Sequence, residues 1–248
     1  MESLTEEPPR LAGVSVIIPC LDEEDAIGPA VTDILAEGVD EVIVVDGKSR
    51  DLTVERATEA GARVVFEPRK GYGRALMTGV AALSPNCELV VFIDGDGSDI
   101  PQMIPEVVAP LRAGRADFVI GTRIKGPREQ GSLSATQILA GHLAGTLIRI
   151  VYGVRFTDMS PFRAIGRERL AALGMREDGF GWNLEMQMRA AASGLRCVEV
   201  AVGQRCRRGG VSKVSGNLRV SVKVAWVLFR TFLRLASGLR RERYANRR

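Results

Sequence analysis

Short apolar runs alternate with helical patterns along the first half of the chain, and this alternation most limits the fold. Runs typical of strands span 14–19, 41–46, 62–67, 88–94 and 117–122. Patterns typical of helices lie between them, at 26–36, 52–60, 71–83 and 101–113. Strand, helix and strand at this spacing require right-handed crossovers between parallel strands. The sequence therefore predicts an α/β fold with a mixed, mostly parallel sheet that helices cover on both faces.

The pattern changes after residue 125. Residues 135–152 and 183–192 predict two further helices, and 197–204 predict a strand that a basic loop follows. The stretch 156–165 predicts a turn-containing segment. No internal repeat or low-complexity tract interrupts the chain, so we predict no domain boundary inside 14–210.

Three parts of the chain differ in composition. Residues 1–13 are acidic, contain proline and lack an apolar core, so we interpret them as a loose leader, neither a signal peptide nor an anchor. Residues 14–215 predict one domain, and 216–248 predict a basic amphipathic helix and tail. No window reaches the roughly 18 consecutive apolar residues that a membrane span requires.

The strand at 88–94 ends in the sequence Asp94, Gly95 and Asp96. Two carboxylates two residues apart, where a buried strand meets solvent, form a natural site for Mg²⁺ or Mn²⁺, which prefer oxygen ligands. Gly95 would keep the space between them clear for a ligand. The alternative is an Asp-rich turn that only closes the strand.

Polar residues follow several other predicted strands. The carboxyl ends of parallel strands meet at one edge of a sheet, and ligands bind beyond that edge. We therefore expect one surface to collect Glu23, Asp46, Asp94, Asp96 and Arg123.

Cysteine and histidine usage argues against a thiol-ligated zinc site. The cysteines at 20, 87, 197 and 206 form no Cys-x-x-Cys pair, and His142 is the only histidine. Reduced thiols and a cytoplasmic location are the default expectation. We interpret His142, inside an apolar helical pattern, as structural.

Eight segments, taken in order, resemble motifs of the family-two glycosyltransferases with a GT-A (Rossmann-like) fold, in the branch of dolichol- and polyprenol-phosphate sugar synthases. They are VSVIIPCLDEEDAI, EVIVVDGKSRDLT, EPRKGYGRAL, FIDGDGSD, GTR, DMSPFRAIGRERL, FGWNLEMQMRAAASGL and RRGGVSKVSG. The likeness covers about residues 14–215. It implies that this stretch is a GT-A glycosyltransferase domain.

The resemblance implies a nucleotide-sugar donor site with a bound Mg²⁺ or Mn²⁺. Its nucleotide-binding residues would be Pro19, Leu21, Glu23, Asp46, Lys70, Asp94, Gly95 and Asp96, and its metal ligands Asp94 and Asp96. Two of these have a structural alternative, since Asp46 could cap the next helix and Lys70 could simply precede one. Ser98 stands where many relatives carry Gln, which leaves a third protein ligand open.

The resemblance also implies catalytic and acceptor residues. Asp158, Asp96 and Arg123 would be catalytic, with Asp158 orienting the acceptor or acting as general base. A lipid phosphate is already ionised near neutral pH, so it would need no base. The alternative for Asp158 is a turn-forming residue before Ser160 and Pro161.

The remaining implied site residues are cations and a sugar pocket. The candidates for phosphate recognition are Arg123, Arg163, Arg207, Arg208 and Lys213, and those for the sugar pocket are Trp182 and Glu185. Arginine presents a planar fork that matches phosphate oxygens. Any single cation could instead be solvated, and Glu185 could instead pair with Arg189 one helical turn away.

Residues 217–239 predict an amphipathic helix. Arg219, Lys223, Arg230 and Arg234 share one face, and apolar residues with Trp226 occupy the others. Such a helix lies in a membrane interface and is drawn to anionic lipid. The alternative is a helix packed on its own domain or in a dimer interface. The segment carries no nucleic-acid-binding motif, so no nucleic-acid partner is expected.

The resemblance implies an inverting, metal-dependent transfer of mannose or glucose from a GDP- or UDP-sugar to a polyprenyl phosphate. The enzyme would be cytoplasmic and peripheral on the cytoplasmic face of the membrane, and a homo-oligomer stays open. One alternative is the same donor chemistry with a soluble acceptor, such as a phosphorylated small molecule or a natural product. Another is a non-catalytic protein that binds a nucleotide sugar.

Overall fold

A computed structural model describes residues 10–208, 226 and 229–239. Its strands are β1 (Leu11–Cys20), β2 (Val39–Asp46), β3 (Arg63–Phe66), β4 (Leu89–Phe92), β5 (Phe118–Thr122), β6 (Arg163–Gly166) and β7 (Cys197–Ala201). Its helices are α1 (Glu24–Ala36), α2 (Thr53–Glu59), α3 (Tyr72–Ala81), α4 (Ile104–Arg112), α5 (Ala135–Tyr152), α6 (Arg167–Leu173) and α7 (Trp182–Ala192). A 3₁₀ turn at Pro101–Met103 precedes α4.

The strands form one seven-stranded sheet in the order β3-β2-β1-β4-β6-β5-β7. Strand β6 runs antiparallel to both β4 and β5, and the other pairs are parallel. The predicted mixed, mostly parallel sheet flanked by helices is therefore confirmed. The first strand begins at Leu11, earlier than predicted, and residues 1–9 of the predicted leader lie outside the described residues.

Two elements differ from the sequence prediction. The stretch 156–165 was predicted as a turn-containing segment, but Arg163–Gly166 forms the central strand β6, and α6 follows it directly. Strand β6 pairs on both sides, with Phe92 opposite Arg163 in β4 and Ile120 opposite Arg163 in β5. The four residues that follow the proline turn are too few to show the two-residue hydrophobic period of a strand. Strand β6 therefore forms because of its tertiary pairing with β4 and β5.

Apolar side chains fill both faces of the sheet. Along β1, Ile17 belongs to the core under α3, α5 and α7, while Val16 and Ile18 belong to the core under α1 and α4. This alternation follows from the two-residue period of a strand. Burial on both faces explains why the parallel strands read as continuous apolar runs.

The C-terminal segment contacts the domain where the structure describes it. Residues 229–239 are helical, and Phe232, Leu235 and Leu239 are buried in the core under α5 and α7. Two apolar side chains of this segment face outward: 62% of the surface of Trp226 and 53% of that of Leu233 are exposed. This packing corresponds to one of the two alternatives open for the predicted helix, whose part before residue 226 lies outside the described residues.

No helix within the described residues is long and apolar enough to cross a membrane.

Candidate functional site

A cleft of about 1620 Å³ opens beyond the carboxyl ends of β1, β2 and β4. Most of the predicted site residues line it: Pro19, Leu21, Glu23, Lys70, Asp94, Gly95, Asp96, Arg123, Asp158 and Arg207. They come together because the strands that carry them end at the same edge of the sheet. The expected collection of carboxylates and an arginine on one surface is therefore present, with Asp46 just beneath it.

Asp94 and Asp96 come shortly after strand β4, where the chain turns sharply beside β1. A Cβ on Gly95 would lie 2.3 Å from Cys20 Sγ and 3.1 Å from Ile18 Cγ2. Glycine is thus required by the close packing of this turn on β1, which differs from the expected role of leaving space for a ligand. Asp94 and Asp96 flank that contact, and both face the cleft.

Three carboxylates cluster in this turn. The Asp96 Oδ1 accepts the backbone N–H of Ser98 at 2.9 Å, and Asp99 Oδ2 accepts the backbone N–H of Asp94 at 3.1 Å. Burial and the charge of Asp96 raise the pKa of Asp94 to about 8 and that of Asp99 to about 7. Asp99 was not predicted as a site residue, because the sequence gives no sign that its side chain turns back toward Asp94.

This acidic cluster fits a divalent cation. Asp99 Oδ1 is buried and has no hydrogen-bond partner among the described residues, and the repulsion between the carboxylates is what a bound cation relieves. Among the same residues, no group of three or more His, Cys, Asp or Glu side chains is placed to hold a metal ion. A Mg²⁺ or Mn²⁺ held by Asp94 and Asp96 would therefore complete its coordination with substrate phosphate oxygens and water.

Tyr72 at the start of α3 orients the first of these carboxylates. Its hydroxyl donates to Asp94 Oδ1 at 3.1 Å, and its ring stacks on Phe180 with 6.5 Å between centroids. Burial and the charge of Asp94 raise the pKa of Tyr72 well above its usual value, so the hydroxyl keeps its proton. Tyr72 was missed, since an aromatic residue between two glycines gives no pattern that points to a distant aspartate.

The glycines around Tyr72 are required by a chain crossing. A Cβ on Gly71 would lie 2.2 Å from the carbonyl oxygen of Asp178, and one on Gly73 would lie 2.1 Å from that of Glu177. In the structure these glycines allow the segment 177–179 to pass, and Lys70 beside them lines the cleft.

Asp158 and Arg123 form a buried ion pair at the rear of the cleft. Arg123 donates to the carboxylate through Nε at 2.9 Å, Nη2 at 2.8 Å and its backbone N–H at 3.0 Å. The backbone N–H of Met159 adds a fourth bond at 2.7 Å. Burial alone would raise the pKa of Asp158, but Arg123 and these N–H groups lower it. The carboxylate is thus held charged and fully engaged.

Five of the described predicted site residues do not reach the cleft lining: Asp46, Arg163, Trp182, Glu185 and Arg208. Asp46 is buried and accepts the backbone N–H of Lys48 at 3.0 Å and of Ser49 at 3.2 Å, so it shapes the turn after β2, and that turn lines the cleft. Arg163 is wholly buried in β6, where its guanidinium donates to the carbonyls of Ser160 and Asn183. Burial lowers the pKa of Arg163 to about 10.

The two predicted sugar-pocket residues lie in the core. Trp182 is 1% exposed and meets the ring of Phe92 edge to face. Glu185 pairs with Arg189 at 2.8 Å, which is the structural alternative, and accepts the backbone N–H groups of Arg176 and Glu177. Glu185 thus supports the segment 176–181, and neither side chain lines the cleft. Phe180 of that segment and Asn183 of α7 line the cleft instead.

The basic loop after β7 brings one of its predicted cations into the site. Arg207 reaches Asp96 Oδ2 at 3.2 Å and Glu23 Oε1 at 2.7 Å. Arg208 packs its stem on Gly97, outside the main cleft, and donates its backbone N–H to the carbonyl of Asp96. Lys213 lies outside the described residues.

One part of the cleft lining, called the apolar wall below, consists of hydrophobic side chains. It is formed by Leu139, Leu143 and Leu147 of α5, by Met159 and Phe180, and by Phe229 and Phe232 of the C-terminal helix. Helix α5 starts at a capping box in which Ser134 and Gln137 satisfy each other's backbone N–H groups. Leu139 and Leu143 keep 68% and 58% of their surfaces exposed. The sequence showed an apolar helix here but not that its leucines line the same cleft as Asp94 and Asp96.

Fold and site together define an α/β enzyme of the glycosyltransferase class. The profile of Glycosyl transferase family 2 matches residues 15–173. The chain is 40% identical over 215 residues to "Uncharacterized glycosyltransferase Rv0539" of Mycobacterium tuberculosis, covering 84% of this chain and 93% of that relative. It is 31% identical over 229 residues to the dolichyl-phosphate hexose transferase of Haloferax volcanii, covering 90% and 96%. The chain therefore belongs to glycosyltransferase family 2, as its motifs predicted.

A solved structure agrees with the GT-A fold. Glucosyl-3-phosphoglycerate synthase of Mycobacterium tuberculosis, in complex with Mn²⁺, UDP-glucose and phosphoglyceric acid, matches with a TM-score of 0.71 at 26% identity. The match covers 92% of this chain and 80% of that one. The predicted fold and the predicted enzyme class are both confirmed.

Proposed function

We propose that this glycosyltransferase is an inverting, metal-dependent enzyme that transfers mannose or glucose from a GDP- or UDP-sugar to a polyprenyl phosphate. The observation that carries the proposal is one cleft whose lining includes both Asp94 and Asp96 and the apolar wall of α5. A nucleoside diphosphate sugar with its cation suits the first side, and a lipid chain suits the second. Inversion follows from the family resemblance.

On the donor side, Asp94 and Asp96 hold Mg²⁺ or Mn²⁺, and Tyr72 and the backbone N–H of Ser98 keep the two carboxylates oriented. The cation, when bound, neutralises the charge that grows on the departing nucleoside diphosphate. Pro19, Leu21, Glu23 and Lys70, with the turn that Asp46 shapes, bind the base and ribose. The Mn²⁺ and UDP-glucose in the complex of glucosyl-3-phosphoglycerate synthase support this assignment.

On the acceptor side, Asp158 acts through Arg123. Its four hydrogen bonds and its lowered pKa leave it poorly suited to take a proton from an acceptor hydroxyl. It therefore holds Arg123 in the lining, where the guanidinium orients phosphate oxygens. This favours an acceptor that arrives ionised, and a phosphate monoester with a second pKa of about 6 meets that condition.

The apolar wall supplies the area that a polyprenyl chain would cover. Exposed Trp226 and Phe229 continue it onto the C-terminal helix, where Arg230 and Arg234 are also exposed. Aromatic and basic residues together favour contact with an anionic lipid surface. The enzyme would act as a peripheral protein on the cytoplasmic face of the membrane, and the name of the Haloferax relative supports a lipid phosphate acceptor.

A second candidate keeps the donor chemistry and uses a small phosphorylated acceptor in solution. The specific observation in its favour is the match to glucosyl-3-phosphoglycerate synthase, whose structure holds phosphoglyceric acid. The same Arg123 would then bind the phosphate of a soluble ester. The exposed leucines of α5 have no role in that reaction, which is why the lipid acceptor ranks first.

A transfer assay separates the two acceptors. GDP-mannose and UDP-glucose are each offered with Mn²⁺ or Mg²⁺, with either undecaprenyl phosphate in detergent or 3-phosphoglycerate as acceptor, beside the variant Asp96→Ala. We expect transfer to the lipid that requires the metal and is lost in the variant. Transfer to 3-phosphoglycerate alone would support the soluble acceptor. Failure to bind any nucleotide sugar would mean that Asp94 and Asp96 only form the turn after β4 and do not bind a donor.

A further inference from the structure

The guanidinium of Arg207 bridges two carboxylates that come from distant parts of the chain. Its Nη2 lies 2.7 Å from Glu23 Oε1, beyond the end of β1, and its Nη1 lies 3.2 Å from Asp96 Oδ2, beyond β4. Its side chain is 29% exposed, so the ion pairs are only partly screened by water. One cation of the protein itself thus sits where the candidate metal ligand and the candidate nucleotide-binding turn meet.

Backbone contacts hold the loop of Arg207 against the acidic turn. Arg205 donates its N–H to the carbonyl of Ser98 at 2.8 Å, and Arg208 donates to the carbonyl of Asp96 at 3.1 Å. Between them, the N–H of Cys206 donates to Glu129 Oε2 at 2.7 Å. These three anchors fix the backbone on both sides of Arg207, so a change of its ion pairs requires only its side chain to move.

Both oxygens of Asp96 are engaged in this arrangement. Oδ1 accepts the N–H of Ser98, and Oδ2 faces Arg207. A divalent cation that coordinates Asp96 at Oδ2 has to displace the guanidinium, and it meets the repulsion of a positive charge a few ångströms away. A diphosphate in the cleft changes this balance, because its oxygens offer the guanidinium a bidentate partner at least as good as a carboxylate.

We propose that Arg207 makes metal binding depend on the nucleotide: it occupies Asp96 in the empty site and moves onto the diphosphate when the donor binds. This inference rests on the proposed donor site. The carboxylate of Asp96 is released to the metal only when the diphosphate takes over Arg207, so metal and nucleotide bind with positive coupling. By linkage, the metal raises the nucleotide affinity by the same factor.

The test measures Mn²⁺ binding directly, by the electron paramagnetic resonance signal of free Mn²⁺, without and with saturating UDP or GDP. The wild-type protein is compared with Arg207→Ala and Arg207→Lys. The matched control is Arg205→Ala, which removes the same charge from the same loop at a residue outside the lining of the main cleft. Thermal unfolding checks that each variant is folded.

We expect the wild-type protein to bind Mn²⁺ alone weakly and to gain about 5- to 150-fold in affinity when the nucleotide is present. Arg207→Ala should bind Mn²⁺ alone about tenfold more tightly and gain correspondingly less from the nucleotide. Part of the gain should persist, because phosphate oxygens also complete the coordination of the metal. Arg207→Lys should keep part of the coupling, because it retains the charge but not the fork. Arg205→Ala should behave as the wild type.

Two outcomes would overturn the proposal, and they differ. If Arg207→Ala binds Mn²⁺ alone no more tightly than the wild type, while nucleotide-dependent binding is present in the wild type, Arg207 has no part in the coupling and the donor site stands. If no protein binds Mn²⁺ with or without nucleotide, the proposed metal site fails together with this inference.

Discussion

The two walls of the cleft are built in different ways. On the polar wall, backbone N–H groups and a tyrosine hydroxyl hold each carboxylate in place, as Ser98 does for Asp96 and Tyr72 for Asp94. On the apolar wall, Leu139 and Leu143 project from one helix and remain mostly exposed. A diphosphate and its cation need precisely oriented ligands, whereas a lipid chain needs apolar contact area. Substitutions on the polar wall should therefore reduce donor binding and sugar transfer strongly. Substitutions on the apolar wall should reduce acceptor binding only a little.

The largest effect is expected from removing charge on the polar wall. Asp94→Asn and Asp96→Asn keep the side-chain shape but withdraw a hard anionic ligand, so metal-dependent donor binding and sugar transfer should both fall below detection. Calorimetric titration of Mn²⁺ with UDP or GDP measures the first, and a transfer assay the second. Glu55→Gln, on the exposed face of α2, is the control and should leave both unchanged. Retained metal-dependent binding in Asp96→Asn would contradict the assignment.

The next effect concerns the buried pair behind the cleft. Asp158→Asn leaves Arg123 without its hydrogen-bonded counterion, which should lower the free energy of unfolding by about 3–5 kcal/mol. Urea unfolding measures this, and the double variant with Arg123→Gln should lose less than the sum of the single ones.

The same variant decides the role of Asp158 in the reaction. If it positions Arg123, transfer should decrease in Asp158→Asn while the shape of the pH–rate profile stays the same. Loss of the acid limb of that profile would instead identify Asp158 as a general base and weaken the contrast between the two walls.

A smaller effect is expected from Tyr72→Phe, which removes one hydroxyl and keeps the ring on Phe180. A group that orients a metal ligand typically contributes about 10–100-fold in metal affinity, so Mn²⁺ binding in the presence of nucleotide should weaken within that range. Tyr152→Phe on α5, outside the cleft lining, is the matched control. Equal Mn²⁺ affinities for Tyr72→Phe and the wild type would mean that Asp94 needs no such support.

The smallest effect belongs to the apolar wall. Leu139→Ser or Leu143→Ser should each raise the KM for undecaprenyl phosphate about fivefold, since each removes roughly 1 kcal/mol of apolar burial on the lipid. Donor binding should stay unchanged. Ile150→Ser is the control, because Ile150 is 75% exposed on the same helix but does not line the cleft. An equal effect of all three substitutions would indicate general membrane contact instead of a lipid-binding wall.

The sequence predicts the acidic half of the site better than the rest of it. Glu23, Asp94 and Asp96 follow buried parallel strands, and the rule that such strands end at one edge places them together without any knowledge of side-chain contacts. Arg163 shows the limit of this reasoning. Its motif suggests a phosphate ligand, yet it lies wholly buried in β6 and donates to the carbonyls of Ser160 and Asn183.

The α/β class, the mostly parallel sheet and the family follow from the amino-acid sequence, because apolar periodicity and turn residues are local properties of the chain. The central position of β6, the contacts of Tyr72 and Asp99 with Asp94, and the ion pair of Asp158 with Arg123 arise from tertiary packing. These contacts connect residues far apart in the chain, such as 72 with 94 and 123 with 158. Their formation depends on how two elements pack, and packing leaves no periodic signal in either element alone.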